Sequence, residues 1–231
     1  MLVATANILD RLDRDRAAEA LASVLEHGPD VVGLQEWGPT RRPILRAHVA
    51  YTWVAPLYGG NAVGFRRERF ALLGHGLSLV GRVGLADRGA RPIRILPPRV
   101  TTLVRLLERA TGSATSVLNY HLVPGAQARG TYRADRPLLT RRHVSETRRL
   151  GALVTRRLAA DDAVIAMGDS NFDGFALPGL VSAWAGRRDD PVGTLGASRK
   201  IDDVFGAVPA SAVSLVRTAS DHAAVLAHRP D

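Results

Sequence analysis

The sequence predicts an α/β protein with two packed β-sheets rather than one doubly wound sheet. Short apolar runs rich in Val and Ile alternate with segments of helical periodicity. Strands outnumber helices in this pattern, and hairpins are mixed with crossover connections. The chain has 231 residues, 46% hydrophobic and 23% charged, which is typical of a globular chain with a sizeable core. We expect a single domain over residues 1–231.

The first half of the chain begins with a strand and a well-marked helix. The run LVATANI at 2–8 predicts the strand. Asp13 suits the N-cap of the helix, and Gly28 with Pro29 ends it. The apolar stripe of this helix consists of Ala18, Leu21, Ala22 and Leu25.

Three further apolar runs of the first half predict strands. VVGL at 31–34 predicts a buried strand. AVGF at 62–65 and FALLGH at 70–75 predict two strands that pair around Arg66–Arg69.

The second half of the chain predicts a hairpin, a helix and three more strands. Residues 100–109 and 114–122 form the hairpin, with its turn at Thr111-Gly112. A helix covers roughly 142–160 and faces inward with Leu150, Leu153, Val154 and Leu158. The remaining strands are 163–167, 201–205 and 223–227.

Two arginine-rich stretches carry no clear periodicity. Residues 76–99 and 124–142 each contain five arginines among turn-forming residues, and we interpret both as long surface loops. Long loops are often functional. Neither stretch shows an evident hydrophobic hairpin.

Composition and charge restrict the class of protein. The net charge is +9, and Lys200 is the single lysine among 31 basic residues. This surplus favours polyanionic partners: nucleic acid, anionic membrane or phosphorylated ligands.

The absence of cysteine excludes a disulfide framework, thiolate zinc sites and a cysteine nucleophile. No apolar run approaches the about 18–20 residues of a membrane span. The N-terminus lacks a basic leader, so we expect a cytoplasmic protein.

Polar residues stand at the ends of separate apolar strands, where a buried strand does not need them. They are Asn7, Glu36, His121, Asp169, Asn171, Asp202, Asp221 and His222. Because strand ends of layered sheets converge, we expect these side chains to line one cleft. Carboxylates without cysteine suit Mg²⁺ or Mn²⁺. Carboxylates, amides and histidines around such a metal suit the hydrolysis of a phosphate ester.

The ordered segments TANIL, DVVGLQEW, NYHL, GDSNFDG, KIDDVF and SDHAAVLA resemble the motifs of the endonuclease/exonuclease/phosphatase (DNase I-like) superfamily. This superfamily includes nucleases, magnesium-dependent sphingomyelinases and inositol polyphosphate phosphatases. The resemblance extends from Asn7 to Ala227 and implies a four-layer sandwich, with two mixed β-sheets packed face to face and helices outside.

The resemblance also implies a metal site. Glu36 in LQE matches the principal Mg²⁺ ligand of the family, and Asn7 matches the asparagine beside it, which helps to hold metal-bound water or phosphate. Asp221 of the SDH motif is a further metal ligand. Mn²⁺ is the expected substitute for Mg²⁺.

The catalytic roles follow from the same motifs. Asp169 would position or deprotonate the attacking water, and Asn171 would hold the phosphate. His222 would contact a phosphoryl oxygen or act as base, with Asp202 accepting from its ring N–H. His121 matches a second histidine, which protonates the leaving group or braces the phosphate.

Some neighbouring residues allow two interpretations. Alternation along the strand permits either Asp202 or Asp203 to face the cleft, and the motif register favours Asp202. Asn61 resembles a position that binds substrate or supports the site in some relatives. The other histidines are interpreted as surface or packing residues: His27, His48, His75, His143 and His228.

We therefore expect a Mg²⁺-dependent phosphoesterase that cleaves P–O bonds by in-line attack of water. The arginine-rich stretches favour a nuclease on DNA or RNA. The alternative is a phosphatase or phosphodiesterase for phospholipid headgroups or small phosphoesters. A third hypothesis is a non-catalytic nucleic-acid-binding module. A monomer is the usual state of the family. The sequence does not distinguish DNA from RNA as the substrate, endonucleolytic from exonucleolytic cleavage, or one metal ion from two.

Overall fold

The computed structural model describes residues 1–88, 91–160, 162–187 and 192–230. Over these ranges the helices are α1 (Arg14–Leu25), α2 (Arg42–Ala47) and α3 (Pro137–Leu158). The strands are β1 (Leu2–Asn7), β2 (Val31–Gln35), β3 (Tyr51–Val54), β4 (Ala62–Arg66), β5 (Phe70–Gly81), β6 (Gly84–Arg88), β7 (Arg91–Leu96), β8 (Arg99–Glu108), β9 (Ala114–His121), β10 (Gln127–Ala128), β11 (Thr131–Tyr132), β12 (Ala163–Asp169), β13 (Val181–Ser182), β14 (Asp202–Gly206), β15 (Ala212–Val216) and β16 (Ala224–His228).

Two six-stranded sheets form the centre of the molecule. Sheet I has the order β15-β16-β1-β2-β4-β3, and sheet II has the order β13-β14-β12-β9-β8-β5. The pairs β1–β2 and β9–β12 are parallel, while their other neighbours are antiparallel. Both sheets are therefore mixed, as the resemblance implied. Two separate hairpins, β6–β7 and β10–β11, lie outside them.

Helices cover the outer faces, which gives four layers. Leu21 and Val24 of α1 and Leu45 of α2 pack on the outer face of sheet I. Leu150 and Val154 of α3 pack on the outer face of sheet II. The predicted α/β sandwich is thus confirmed. Among the described residues, no helix combines the length and the apolar character needed to cross a bilayer.

The space between the sheets changes from apolar to polar along the strands. On β1 the inward-facing residues are Val3, Thr5 and Asn7, and Val3 belongs to the apolar core. On β12 that core receives Ile165 and Met167, and the next position of the same parity is Asp169. Because side chains alternate between faces, these positions share one face of each strand. The strands that build the core therefore deliver polar side chains at its end.

The helix boundaries show one correct and one wrong prediction. Asp13 caps α1 as predicted, since its carboxylate accepts from the Arg16 N–H at 2.8 Å. The helix predicted over roughly 142–160 is α3, which starts at Pro137 rather than near 142. Its first N–H groups, those of Leu138 and Leu139, donate to the carboxylate of Asp87 on β6 at 2.8 and 3.2 Å. The capping carboxylate lies 51 residues away in the chain, and the local signal is Pro137 at the first position of the helix, which the apolar periodicity did not include.

The predicted pairing of 62–65 with 70–75 is wrong. β4 pairs with β2 and β3 in sheet I, whereas β5 pairs with β8 in sheet II. The turn between β4 and β5 therefore crosses from one sheet to the other. Short loop length suggested a hairpin, but the inward faces of the two strands belong to opposite sides of the core. The hairpin with its turn at Thr111-Gly112 is confirmed as β8–β9.

The two arginine-rich stretches are not long loops. Residues 76–99 contain the end of β5, the β6–β7 hairpin and the first residue of β8, with 89–90 outside the described residues. Residues 124–142 contain β10, β11 and the first turns of α3. Exposed aliphatic residues alternating with arginine and glycine hid the strands, because strand prediction relies on one buried face.

Candidate active site

The floor of the candidate site joins the two sheets. Asp169 ends β12, where it stands in register with His121 of parallel β9 and with Asp202 of antiparallel β14. Asn7 ends β1 of the opposite sheet, and its Nδ2 donates to Asp169 Oδ2 at 2.9 Å. Both side chains are buried. The polar ends of the two sheets therefore meet at the Asp169 carboxylate.

Glycine at the position before Asp169 is required by packing. Gly168 has φ 146°, and a Cβ there would collide with the carbonyl oxygen of Tyr120 on the adjacent strand. The backbone after β12 then turns sharply, because Asn171 adopts φ 54° and its N–H donates to Asp169 Oδ1 at 2.7 Å. The Asn171 amide Nδ2 also donates to the Leu122 carbonyl at 3.1 Å. The GDSN motif thus fixes Asp169 from its own backbone.

The Asp169 carboxylate lies within reach of both histidines. The distance from Asp169 Oδ2 is 3.6 Å to His121 Nε2 and 4.0 Å to His222 Nε2. Burial raises the pKa of Asp169, and the neighbouring Asp202 raises it further, against the opposing effects of His222, Asn171 and Asn7. A carboxylate whose pKa is raised toward neutral is suited to accept a proton near neutral pH.

His222 and Asp202 form a buried pair. His222 Nδ1 lies 2.8 Å from Asp202 Oδ2, which leaves Nε2 facing the cleft. Burial alone lowers the pKa of His222, but the Asp202 hydrogen bond and the charges of Asp202, Asp169 and Asp221 raise it above its usual value. The imidazole is therefore held as a cation that donates into the cleft.

Asp203 faces away from this pair. Its Oδ1 accepts from the backbone N–H groups of Ala183 and Val204 at 3.1 and 2.7 Å, and its Oδ2 accepts from Ser182 Oγ at 2.5 Å. The two adjacent aspartates thus have different surroundings, one facing the histidine and one bracing β13.

His121 carries the opposite protonation tendency from His222. Burial lowers its pKa well below the usual value, and the positive charges of Arg99 and His222 lower it further. His121 is therefore held neutral at neutral pH, whereas His222 is held protonated.

Oxygen atoms suited to a divalent cation lie on the sheet I side of the cleft. Glu36 follows β2 with φ 57°, and its Oε2 accepts from the Asp10 N–H at 3.0 Å. Asn7 stands beside it, in register with Gln35, and Asn7 Oδ1 is buried with no partner among the described residues. A carboxylate and a neutral amide oxygen fit a hard cation such as Mg²⁺. Asp221 is exposed and is not among the residues that line the cleft, although the neighbouring Ser220 Oγ donates to the Asn7 carbonyl at 2.8 Å.

A second donor set lies deeper. Asp169, Asp202 and His222 place ligand atoms within 4.8 Å of one another, the one such group among the described residues. His222 Nδ1 is engaged by Asp202, and the two Asp169 oxygens already accept hydrogen bonds from Asn7 Nδ2 and the Asn171 N–H. The Glu36 side is therefore the better fit for the cation.

The cleft has a volume of about 590 Å³ and a cationic wall. Its lining includes Arg99, Arg129, Arg133 and Arg199 together with the floor residues Asn7, Glu36, His121, Asp169, Asn171 and His222. Arg99 is the innermost of the four arginines. Burial lowers its pKa, while the charges of Glu146, Asp169 and Glu36 raise it. Its Nη1 makes one long hydrogen bond of 3.5 Å, to the His121 carbonyl, so other N–H groups remain for an anion.

Sequence reasoning missed Arg99 as a site residue. The arginine was placed in a loop, although it directly precedes the apolar strand at 100–109, and the strand-end criterion applied to the other residues would have selected it. His143 is a buried packing residue, as predicted, and its Nε2 lies 2.8 Å from the Ser170 carbonyl inside the GDSN turn. Asn61 is buried between the sheets and donates to the Val100 carbonyl at 2.7 Å, outside the cleft lining.

Solved structures with the same fold span almost the whole chain. TDP2 from D. rerio in complex with single-strand DNA product aligns with a TM-score of 0.72 at 18% identity, covering 98% of this chain and 97% of that one. The catalytic domain of human Nocturnin with bound sulfate aligns with a TM-score of 0.65 at 18% identity, over 98% and 92%. A family protein from Bacteroides thetaiotaomicron aligns with a TM-score of 0.66 at 15% identity, over 98% and 96%.

Sequence comparison agrees with the fold. No curated protein sequence matches the chain. The model of the Endonuclease/Exonuclease/phosphatase family matches residues 4–222, nearly the full length and all the motifs from Asn7 to His222. The chain belongs to the Endonuclease/Exonuclease/phosphatase family.

Proposed function

We propose that this chain is a divalent-metal-dependent phosphodiesterase that hydrolyses nucleic acid by in-line attack of water. One observation carries the proposal. The chain of contacts from Asn7 through Asp169 to His222 and Asp202 is buried at the floor of a cleft whose wall is lined by four arginines. A phosphate group that enters this cleft meets donors on one side and a proton acceptor on the other.

Glu36 and Asn7 would hold the cation, with Asp221 as a further ligand at the rim. When bound, Mg²⁺ or Mn²⁺ supplies positive charge that neutralises the phosphate and steadies the leaving oxygen. The fit rests on the Glu36 carboxylate in the cleft and on the Asn7 Oδ1 atom that has no partner among the described residues.

The remaining polar residues would supply acid–base chemistry and positioning. Asp169 accepts a proton from the attacking water, which its raised pKa favours. His222, oriented by Asp202, donates from Nε2 to a phosphate oxygen. Asn171 donates a second hydrogen bond, and neutral His121 braces the phosphate or relays the proton to the leaving group.

The arginines favour a polymeric anion as substrate. Arg99 lies next to the floor, while the exposed Arg129 and Arg199 are farther out, so positive charge continues from the floor toward the surface. A polynucleotide offers a phosphate at each of these positions. The fold is shared with TDP2, whose structure contains a single-strand DNA product, and this supports the choice of nucleic acid.

A second candidate function is hydrolysis of phospholipid headgroups. The observation that favours it is a group of exposed aliphatic side chains, including Leu57, Ile93 and Ile95. Soluble monomers rarely expose such residues together without a partner.

The deciding experiment is a panel of substrates with Mg²⁺, Mn²⁺ or EDTA. It compares single-stranded and duplex DNA, RNA, bis-p-nitrophenyl phosphate and phosphatidylglycerol vesicles, with Glu36→Ala as the blank. We expect metal-dependent cleavage of a polynucleotide that EDTA and Glu36→Ala abolish, and binding that weakens with salt. Cleavage of phospholipid alone would transfer the proposal to the second candidate. Activity that persists in EDTA would overturn the metal assignment.

A further inference from the structure

The β6–β7 hairpin presents a bare aliphatic face. Leu85 and Ile95 are directly opposite in its register, and Ile93 lies two residues before Ile95 on the same face. Their exposed fractions are 52% for Leu85, 62% for Ile93 and 69% for Ile95, and Val83 just before β6 is 65% exposed. This aliphatic face therefore consists of Val83, Leu85, Ile93 and Ile95.

The other face of the hairpin is packed, so the exposure does not reflect a detached segment. Ala86 of β6 is buried, and it packs in one cluster with Leu139 of α3, Val123 and Leu96. The Asp87 carboxylate accepts from the first N–H groups of α3. Arg142 of α3 donates to the carbonyls of Leu96 and Pro97 at the end of β7. The hairpin is thus held with its aliphatic face outward.

Further aliphatic side chains are exposed near the hairpin in the chain. Leu77 and Leu79 on β5 are 47% and 51% exposed. Leu57 is exposed in the loop whose Tyr58 hydroxyl donates to the Pro98 carbonyl, directly after β7. Leu57 and Leu77 also line an apolar groove of about 660 Å³ between β3 and β5. The chain therefore exposes further aliphatic side chains besides those of the hairpin.

Positive charge accompanies this surface. Residues 82–99 contain five arginines and one acidic residue, Asp87, whose carboxylate is engaged by α3. Arg82 and Arg94 are exposed and flank the aliphatic face, since Arg94 is in register with Ala86 on the other side of the hairpin. A second copy of a chain with net charge +9 would bring like charges together. Stacking of bases on the hairpin is disfavoured because residues 82–99 contain no aromatic side chain.

We propose that the aliphatic face of the β6–β7 hairpin docks this protein on an anionic lipid surface. Aliphatic side chains that enter the interface and arginines that meet acidic headgroups are the two features by which proteins bind such surfaces peripherally. The residues that line the cleft do not include Val83, Leu85, Ile93 or Ile95. The proposal therefore does not depend on which phosphoester the cleft hydrolyses.

The test measures binding of the full chain to vesicles in EDTA, so that turnover does not contribute. Phosphatidylcholine vesicles with and without phosphatidylglycerol are pelleted with the wild type and with Ile93→Ser/Ile95→Ser. Because both positions are exposed, these changes leave the folded core intact. We expect binding only with the anionic lipid, and at least about tenfold weaker partitioning of the double variant.

The matched control is Val49→Ser/Val208→Ser, which alters two valines of 72% and 47% exposure outside the hairpin and should bind like the wild type. Ile93→Trp should show a blue-shifted emission that brominated lipid quenches. Equal vesicle binding by the Ser variant, or equal binding to neutral vesicles, would overturn the proposal. Self-association that the Ser variant abolishes, without vesicle binding, would assign the face to a second copy. Loss of oligonucleotide binding in the Ser variant would assign it to the nucleic-acid site.

Discussion

The two ends of the layer between the sheets have opposite chemistry although the same strands build both. At the apolar end Val3, Val117 and Ile165 are buried in one hydrophobic cluster. Four residues farther along the same strands, Asn7, His121 and Asp169 take the corresponding inward positions. Two steps of alternation thus convert a core strand into a site strand.

Burial has a different energetic effect on the apolar side chains at one end of the layer and on the polar side chains at the other. Apolar burial stabilises the fold without directional requirements. Buried polar groups are costly unless they are paired, and at the polar end Asn7 Oδ1 and Asp202 Oδ1 have no partner among the described residues. The apolar end should therefore control stability, whereas the polar end should control turnover.

The strongest test of this separation is Asp169→Asn. We expect turnover to fall by about 10²–10⁴-fold because the proton acceptor is lost. The melting temperature should fall only slightly, because the amide keeps an oxygen for one of the two donors, Asn7 Nδ2 and the Asn171 N–H, and removes a buried carboxylate whose pKa is raised by burial. Turnover numbers and thermal melts measure the two effects.

The matched control is Asp203→Asn, one residue from Asp202. Its amide keeps an oxygen for the Ala183 and Val204 N–H groups but replaces the Oδ2 acceptor of Ser182 with an NH2 group, so it should lower the free energy of unfolding by about 1 kcal/mol and leave turnover unchanged. Near wild-type turnover in Asp169→Asn would refute the assignment of the polar end.

Sequence patterns predicted most of this floor, because alternation and strand ends are local. Asn7, His121 and Asp169 could each be located from a short apolar run and the polar residue that closes it. The cap of α1 was equally local. What could not be predicted depends on contacts across the chain. The start of α3 needs Asp87, and the separation of β4 from β5 needs two sheets.

The sequence analysis missed the exposed strands β6 and β7 for a different physical reason. Ile93 and Ile95 follow the period of a strand, but nothing in the chain indicates that their apolar side faces outward. Prediction assumes that apolar side chains are buried, so an outward aliphatic face among arginines resembles an irregular loop. Arg99 was missed as a site residue for the same reason, since it was included in the stretch 76–99 that was interpreted as a loop.

At the apolar end the corresponding test is Met167→Ala. Met167 fills the space over Gly33, where a Cβ would lie 2.9 Å from the Met167 Cε. Truncation should lower the free energy of unfolding by about 2–5 kcal/mol because it leaves a cavity between the sheets. Turnover per folded molecule should stay at the wild-type value. Met167→Leu is the control, and it should cost less than about 1.5 kcal/mol in denaturant titrations.

The boundary between the two ends is a buried bridge from sheet II to sheet I. Asn119 Nδ2 donates to the carbonyls of Leu34 and Ala62 at 2.9 and 2.7 Å, and Asn119 Oδ1 accepts from Gln35 Nε2 at 2.6 Å. Asn119→Leu should lower the free energy of unfolding by about 2–4 kcal/mol, since two carbonyls lose their donor. In a double-mutant cycle with Gln35→Leu, the combined cost should be smaller than the sum. Additive costs would show that the bridge does not act as a unit.

Arg99 tests whether the polar end also binds substrate. Arg99→Gln should lower kcat/KM by about 10–100-fold, since it removes charge-assisted hydrogen bonds to phosphate. Arg105→Gln is the control on the same strand, six residues away, where the guanidinium pairs with Asp162 outside the cleft. Steady-state kinetics on the best polynucleotide should separate the two variants. Equal losses in both would point to general electrostatic attraction rather than to a site contact.

The smallest expected effect concerns the Arg105–Asp162 ion pair, which lies at the surface rather than between the sheets. Arg105 donates to both oxygens of Asp162, and these hydrogen bonds lower the pKa of Asp162, with a further contribution from Ser116. A carboxyl whose pKa is lower in the folded than in the unfolded chain binds protons more readily after unfolding. Its stabilising contribution is therefore present above the usual aspartate pKa and is lost as pH falls through the folded value. The free energy of unfolding of the wild type should decrease more steeply than that of Asp162→Asn as the pH falls below about 4. Parallel pH profiles of the two proteins would mean that the ion pair contributes nothing to stability. Turnover at neutral pH should be the same in both proteins, because Arg105 lies six residues from Arg99 along β8 and outside the cleft lining.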